Sequence, residues 1–172
     1  MLAVACGALV SAGIVAVARS GSSKRARHAV CTIRSNTVMG HVELVAVRGG
    51  TKFVFRLRGF PREGAHGCHI HAHGDLRDGC DSTCSHYNPT ARAHGGRTSK
   101  YRHKGDLGNI TADGEGNCEE EFIADVRLHD IVGRTLLIHA GADDLGRGGD
   151  AGSRTTGNAG KRLACGVIGR LD

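Results

Sequence analysis

The stretch Thr51-Lys-Phe-Val-Phe-Arg-Leu-Arg58 decides the fold class, because its apolar and charged residues alternate. Phe53, Phe55 and Leu57 share one face of an extended chain, and the basic residues share the other, with Val54 as the exception. Successive side chains of a β-strand point to opposite faces of the sheet. The stretch therefore predicts a strand with one face in the core, which is typical of an antiparallel sheet.

The neighbouring sequence continues this pattern in both directions. Val42, Leu44 and Ala46 alternate in the same way one strand earlier, and Gly49-Gly50 between the two runs predicts a hairpin turn. Further apolar strand candidates are residues 30–33, 122–128, 134–139 and 166–169. The chain thus contains several short strands, and helix formers are not dominant in its composition.

Two long irregular stretches, residues 72–105 and 140–163, interrupt the strands. Loops of this length are rare in compact domains unless they carry a function. The chain has 172 residues, enough for one domain, and its 27 Gly against 2 Pro favour strands joined by turns. We predict one all-β domain, an antiparallel sandwich or barrel with two long functional loops.

The first 27 residues differ from the rest of the chain. Residues 2–18 are apolar and uncharged, a basic stretch follows at 19–27, and Ala16-Val17-Ala18 offers a small-x-small cleavage site. We favour a signal peptide or membrane anchor, hence a secreted or membrane-anchored protein, with the domain at 28–172. The alternative is a cytoplasmic protein with a disordered extension or a misplaced start codon, since the basic flank follows the apolar run instead of preceding it.

Charge placement argues against one class of partner. The formal net charge is +6, from 23 Lys and Arg against 17 acidic residues. Arg19, Lys24, Arg25 and Arg27 lie in the extension, where there is no acid, so the domain itself is nearly balanced. We therefore expect no nucleic-acid binding through a broad basic patch.

The chemistry of the chain is concentrated in its eleven His residues. His69 and His71 are separated by one residue, so on a strand both imidazoles point to the same side and can reach one ion. Further candidate ligands, from the first long stretch and from the end of a later strand, are His86, His94, His103, Asp106 and His139. Imidazole suits copper and zinc, and three nitrogens with one carboxylate suit tetrahedral zinc. The residues predict a two-ion His site in an antiparallel β protein.

A series of motifs between residues 28 and 172 has the order and spacing of one known family. They include Gly67-Cys-His-Ile-His71, His86-Tyr-Asn-Pro89, His94-Gly-Gly96, His103-Lys-Gly-Asp-Leu-Gly-Asn109, Asp143-Asp-Leu-Gly-Arg-Gly-Gly149 and the run 156–169. By these motifs the chain resembles the Cu/Zn superoxide dismutases. The resemblance implies an eight-stranded antiparallel Greek-key barrel or sandwich, whose two long loops are the metal-binding and electrostatic loops.

The resemblance also implies a ligand set for one copper and one zinc per chain. Copper is assigned to His69, His71, His86 and His139. Zinc is assigned to His86, His94, His103 and Asp106. His86 would thus bridge the two ions, and Asp143 would link a copper ligand, His69, to a zinc ligand, His94.

The same resemblance implies the reaction. It is the disproportionation of superoxide anion to oxygen and hydrogen peroxide by a copper redox cycle, with zinc in a structural role. His86 and Arg162 are the implied catalytic residues, Arg162 binding the anion, and Thr156 narrows the channel. Cys80 and Cys165 are implied to form a disulfide. A copper chaperone is a further expected partner, for metal loading.

Two other functional classes compete with this interpretation. One is a non-catalytic dismutase-like protein that binds metal or acts as a decoy, and it predicts a missing copper ligand or a replaced Arg162. His139 and Arg162 are both present. The other is a copper chaperone with a dismutase-like domain, which would need an added delivery domain, usually with a C-x-x-C motif; the sequence contains no such motif.

Departures from the family pattern concern assembly and one thiol. Thr32, His73 and Arg170 stand where an apolar dimer patch is usual, so we expect a weak homodimer or a monomer, although Asp172 could meet Arg170 across a two-fold axis. Cys84 replaces a residue that is usually Gly. It is either an inert loop thiol or a competitor for a disulfide or a metal.

Overall fold

The computed structural model describes residues 26–171, and the described chain is built of antiparallel strands. The strands are β1 His28–Arg34, β2 Met39–Val47, β3 Gly50–Arg58, β4 Gly64–His71, β5 Asp106–Ala112, β6 Asn117–Ala124, β7 Thr135–His139 and β8 Arg162–Arg170. They pair in the order β5-β4-β7-β8-β1-β2-β3-β6, which forms a nearly closed eight-stranded barrel. The all-β prediction is confirmed.

Strand β3 occupies the position that its alternation predicts. Phe53, Phe55 and Leu57 are buried, whereas the basic residues of the strand are exposed or half-buried. The Phe53 and Phe55 rings lie 5.6 Å and 5.3 Å from the ring of Phe122 on β6, and they form one aromatic part of the barrel core. On β2, Val42 and Leu44 are buried with them.

Several predicted boundaries were wrong. Ala46 shares the inward face of β2 but is exposed, because it lies near the end of the strand. The candidate strand 122–128 ends at Ala124, and Leu128 instead begins a short helix, α1 Leu128–Ile131. Strand β5 was not among the individual candidates, since its sequence mixes Asp, Gly and Asn with the apolar residues.

The two long connections are confirmed as the main irregular parts of the domain. Residues 72–105 join β4 to β5 and contain a short 3-10 helix, Asp81–Thr83. Residues 140–161 join β7 to β8 and contain helix α2 Ala151–Thr155, which the sequence did not predict. β4 and β7 are antiparallel neighbours in the barrel, so the two connections leave opposite ends of one strand pair.

The predicted targeting segment, residues 2–18, lies outside the described residues. Among residues 26–171, no helix combines the length and the apolar character that crossing a membrane requires.

Candidate metal centre

One group of imidazoles gathers along the antiparallel pair that β4 and β7 form. His69 and His71 on β4 are fully or almost fully buried, and β4 pairs with β7, which ends at His139. The loop after β4 folds back, so that the backbone of His86 forms an isolated antiparallel β-bridge with that of His71. One ligand atom from each of these four residues lies within 4.8 Å of the others. The structure therefore brings together the four predicted copper ligands.

Three of these rings are oriented by a hydrogen bond at one of their two ring nitrogens. His69 Nε2 lies 2.9 Å from Asp143 Oδ2, His71 Nδ1 lies 2.8 Å from the Cys84 carbonyl, and His139 Nδ1 lies 2.9 Å from the Gly160 carbonyl. A carbonyl or carboxylate oxygen only accepts, so each of these nitrogens carries the proton and the other ring nitrogen keeps its lone pair.

The lone-pair nitrogens of this group have no partner of their own. His69 Nδ1, His71 Nε2 and His139 Nε2 are buried without a hydrogen bond among the described residues. Burial lowers the pKa of His69 to about 3, of His71 to about 2 and of His139 to about 4. Buried polar atoms are rarely left unsatisfied, and neutral imidazole is the form that binds copper, so these residues fit a copper ion.

The second group is built around a carboxylate. Asp106, at the start of β5, is fully buried, and its Oδ1 lies 2.8 Å from His86 Nδ1, 3.0 Å from His94 Nδ1 and 3.1 Å from His103 Nδ1. Its Oδ2 accepts the backbone N–H groups of Gly95 and His103, at 3.0 Å and 2.9 Å. Three nitrogens and one oxygen that converge in this way fit tetrahedral zinc.

A distance criterion alone would place a different His in this second group. One ligand atom from each of His69, His86, His94 and Asp106 lies within 4.8 Å of the others, a set that contains His69 and omits His103. We prefer His103, whose Nδ1 also lies 3.3 Å from His86 Nδ1. His69 has one nitrogen bound to Asp143 and only one lone pair left, which faces the copper group.

Asp143 joins the two groups. Its Oδ2 lies 2.9 Å from His69 Nε2 and its Oδ1 lies 2.8 Å from His94 Nε2. Asn109 fixes its backbone, since the Asn109 side chain accepts the Asp143 N–H and donates to the Asp143 carbonyl. Burial opposes the charge of Asp143, but the bonds from His69 and His94 outweigh it and hold the pKa of this carboxyl below its usual range.

The carboxylates give His94 a different protonation from the copper-side rings. Burial alone would lower its pKa, but the hydrogen bonds and charges of Asp106 and Asp143 outweigh burial and raise it to about 9. The bonds from His103, His86 and His94 likewise hold the pKa of Asp106 far below its usual range, against the effect of burial.

A cavity of about 490 Å³ gives access to the copper-side imidazoles. Arg162, at the start of β8, lines it together with His71, His86, His139 and Thr156. The Arg162 guanidinium donates to Thr83 Oγ1 at 2.9 Å and to the Cys84 carbonyl at 2.8 Å, so the loop after β4 fixes its position. A fixed positive charge beside imidazoles favours a small anion.

The disulfide between Cys80 and Cys165 is present and fastens this loop to β8. Cys80 precedes the 3-10 helix, and Arg162 donates a further bond to the Cys80 carbonyl. The bridge therefore supports the same short segment that orients His71 and Arg162.

Sequence reasoning missed the groups that act through their backbone. The carbonyls of Cys84 and Gly160 orient copper-side rings, and any residue type could supply a carbonyl. Gly157 is required for a different reason: its φ is +68°, and a Cβ there would lie 2.0 Å from Asp143 Oδ1 and 2.5 Å from His94 Nε2. A Gly within a conspicuous motif was the only sequence signal for it.

Comparison with known proteins agrees with this geometry. A family model described as copper/zinc superoxide dismutase (SODC) matches residues 38–168. The Cu-Zn superoxide dismutase of Paramecium bursaria Chlorella virus 1 is 47% identical over 136 residues, which cover 77% of this chain and 73% of that protein. The human copper chaperone for superoxide dismutase is 48% identical over 111 residues, which cover 62% of this chain and 39% of the chaperone.

A solved structure is similar over nearly the whole domain. The crystal structure of the clock protein EA4 superposes with a TM-score of 0.83 and 37% sequence identity, over 86% of this chain and 97% of that one.

Proposed function

The chain belongs to the copper/zinc superoxide dismutase family, and from this premise we propose that it disproportionates superoxide with His69, His71, His86 and His139 as copper ligands. We assign zinc to His86, His94, His103 and Asp106. The observation that carries the proposal is the set of three buried imidazole nitrogens without a partner, beside a carboxylate that faces three further nitrogens.

When bound, copper supplies the one-electron redox chemistry, and zinc supplies a fixed charge and a template. The reaction consumes two superoxide anions and two protons and yields one oxygen and one hydrogen peroxide. Arg162 attracts and orients each anion, because its guanidinium lines the cavity and its loop partners hold it there.

His86 is the residue suited to handle one of the protons. Its Nδ1 lies 2.8 Å from Asp106 Oδ1, on the zinc side, and this leaves Nε2 for the copper side. A proton held at His86 Nε2 can pass to the reduced substrate, and solvent in the cavity supplies the second proton. Asp143 holds the orientation of the His69 and His94 rings while this proton moves.

The proposal is tested by superoxide decay after pulse radiolysis, with copper and zinc analysed on the same sample. We expect one copper and one zinc per chain. In Arg162→Glu the metals should stay bound and the second-order rate should fall by about 10-fold or more at low salt, with a weakened or inverted dependence on ionic strength. Arg147→Glu is the matched control, because Arg147 is exposed and does not line the cavity.

Two results would contradict the proposal. A protein reconstituted with both metals that holds no stoichiometric copper would contradict the ligand assignment. An Arg162→Glu variant as fast as the Arg147→Glu control would contradict the role of Arg162.

We infer that a copper chaperone delivers the metal. This chain belongs to the superoxide dismutase family, and a human relative is named as the copper chaperone for superoxide dismutase. That similarity covers 39% of the chaperone, so we propose the dismutase, not the chaperone, as the activity of this chain. The three unpartnered nitrogens also count against a non-catalytic decoy, since such a protein has no need for a complete copper site.

We further infer a weak homodimer or a monomer. Thr32, His73 and Arg170 are all exposed in the described chain. Polar side chains at these positions reduce the apolar contact area that a two-fold interface could bury. Sedimentation equilibrium of the metal-loaded protein should show dissociation at micromolar concentration, and a dimer that persists at nanomolar concentration would contradict this inference.

A further inference from the structure

Cys84 lies at the rim of the cavity that leads to the copper-side imidazoles. It follows the 3-10 helix Asp81–Thr83, its side chain is exposed, and it forms no disulfide within the described chain. Its carbonyl accepts hydrogen bonds from His71 Nδ1 and from Arg162, both at 2.8 Å. The backbone of Cys84 is therefore held in place by one imidazole of the copper group and by the Arg162 guanidinium.

The backbone of Cys84 is strained. Its φ of 68° and ψ of −151° fall in a region that is almost exclusive to glycine, where any other residue is unfavourable. Glycine would keep the two carbonyl hydrogen bonds and remove this cost. The chain instead carries a thiol at this point, and the thiol takes no part in the proposed reaction.

The imidazoles behind Cys84 add two nitrogen donors to its soft sulfur donor. Cys84, His71 and His139 line the same cavity of about 490 Å³. His71 and His139 are only 2% and 5% exposed, and the Nε2 atom of each is buried without a hydrogen-bond partner among the described residues. A thiolate with two neutral imidazoles suits copper(I), whereas the carboxylate-centred group around Asp106 suits zinc.

We propose that Cys84 is a capture ligand for copper(I). Its thiolate binds the arriving ion at the rim and passes it to Nε2 of His71 and of His139. The thiol proton is released to solvent on capture and returns to the sulfur on transfer, and copper remains copper(I) throughout. This role rests on the copper site proposed above and adds to it a route by which the site is filled.

The first test follows copper(I) uptake without measuring activity. Zinc-loaded, copper-free full-length protein is mixed anaerobically with the copper(I)–bicinchoninate complex, and the loss of its colour is recorded. We expect Cys84→Ser and Cys84→Gly to take up copper about 10-fold more slowly than wild type, since neither offers a soft donor. All three proteins should reach one copper per chain, because the interior ligands are unchanged.

The two variants separate the thiol from the strain. Ser keeps a side chain at the strained position, and Gly removes both the thiol and the strain. Wild-type uptake by Cys84→Ser would overturn the capture role, and so would slow uptake by only one of the two variants. If no protein holds copper at equilibrium, the proposed function fails together with this inference; equal rates with full copper would overturn only this inference.

A second test looks for the sulfur directly. In a His69→Ala background the interior copper group is incomplete, while Cys84, His71 and His139 remain. X-ray absorption of bound copper(I) should then show a sulfur donor, which the added Cys84→Ser change removes. Absence of the sulfur signal, or peptide mapping that finds Cys84 paired with Cys80, would overturn the proposal.

Discussion

The two halves of the metal centre use the same side chain in opposite electrostatic settings. On the copper side, His69, His71 and His139 are buried among groups that accept their N–H bonds, and burial lowers their pKa values to between about 2 and about 4. On the zinc side, His94 lies between the carboxylates of Asp106 and Asp143, and its pKa is raised to about 9. Both groups are buried, so the number of carboxylates decides the outcome: His94 contacts two, His69 contacts one, and His71 and His139 bond backbone carbonyls.

This difference shows how one loop-rich site can distinguish two metals. The copper side offers neutral nitrogens only, whereas the zinc side adds a negative charge at the centre of its ligands. Asp143 contacts both sides and makes the two settings depend on one another. The comparison can be tested by loosening each side separately.

The largest effect should come from the disulfide. Replacing Cys80 and Cys165 together by Ser should lower the free energy of unfolding by about 2–4 kcal/mol, because the bridge closes a long loop. It should also disturb the copper side more than the zinc side, since Cys80 leads into the segment that orients His71 and Arg162. Urea unfolding and separate copper and zinc affinities measure both effects.

Cys118→Ala is the control for this variant, because it removes a thiol on β6 and leaves the bridge intact. A double variant that loses zinc affinity as much as copper affinity would show that the bridge supports both halves equally.

A smaller effect, on both metals at once, should follow from Asp143→Asn. Removing one carboxylate that orients metal ligands typically lowers affinity by about 10–100-fold, and Asp143 contacts a ring on each side. Competition titrations with chelators for copper and for zinc measure the change. Asp144→Asn is the matched control, because Asp144 bonds Ser153 and Asn158 and no imidazole. A loss confined to one metal would show that the halves are independent.

The last prediction concerns the pH dependence of the metal-free protein. Below pH 6.5 the unfolded chain protonates its His residues, while folded His69, His71 and His139 stay neutral down to about pH 4, so stability should fall as pH falls. Above pH 6.5, folded His94 keeps a proton that the unfolded chain loses, so its contribution should fade as pH rises towards 9.

Thermal unfolding across this pH range is the measurement, with single His→Gln variants. His71→Gln should flatten the acidic limb, and His94→Gln should flatten the alkaline limb. His28→Gln, at an exposed position outside the centre, is the matched control. An alkaline limb that persists without His94 would show that the carboxylates do not hold the proton there.

Much of the fold could be predicted from local patterns. Alternation in β3 identified a half-buried strand. A strand with one face in solvent and one face in the core alternates polar and apolar residues, and this period of two is visible in the sequence. The same reasoning failed for β5 and for residues 125–128. β5 is fixed by pairing with β4, and Leu128 is buried in a helix, so neither has a local period to display.

The sequence by itself determined the inventory of the site: the types and spacing of the His residues and Asp106 imply two ions, and the resemblance to the family adds Asp143, Arg162 and the two disulfide cysteines. Only the tertiary structure decided which nitrogen of each ring is free and which carbonyl turns His71 towards the cavity. It alone placed His94 between two carboxylates. Side-chain type is a local property, but protonation and orientation depend on groups that chain folding brings together from distant positions.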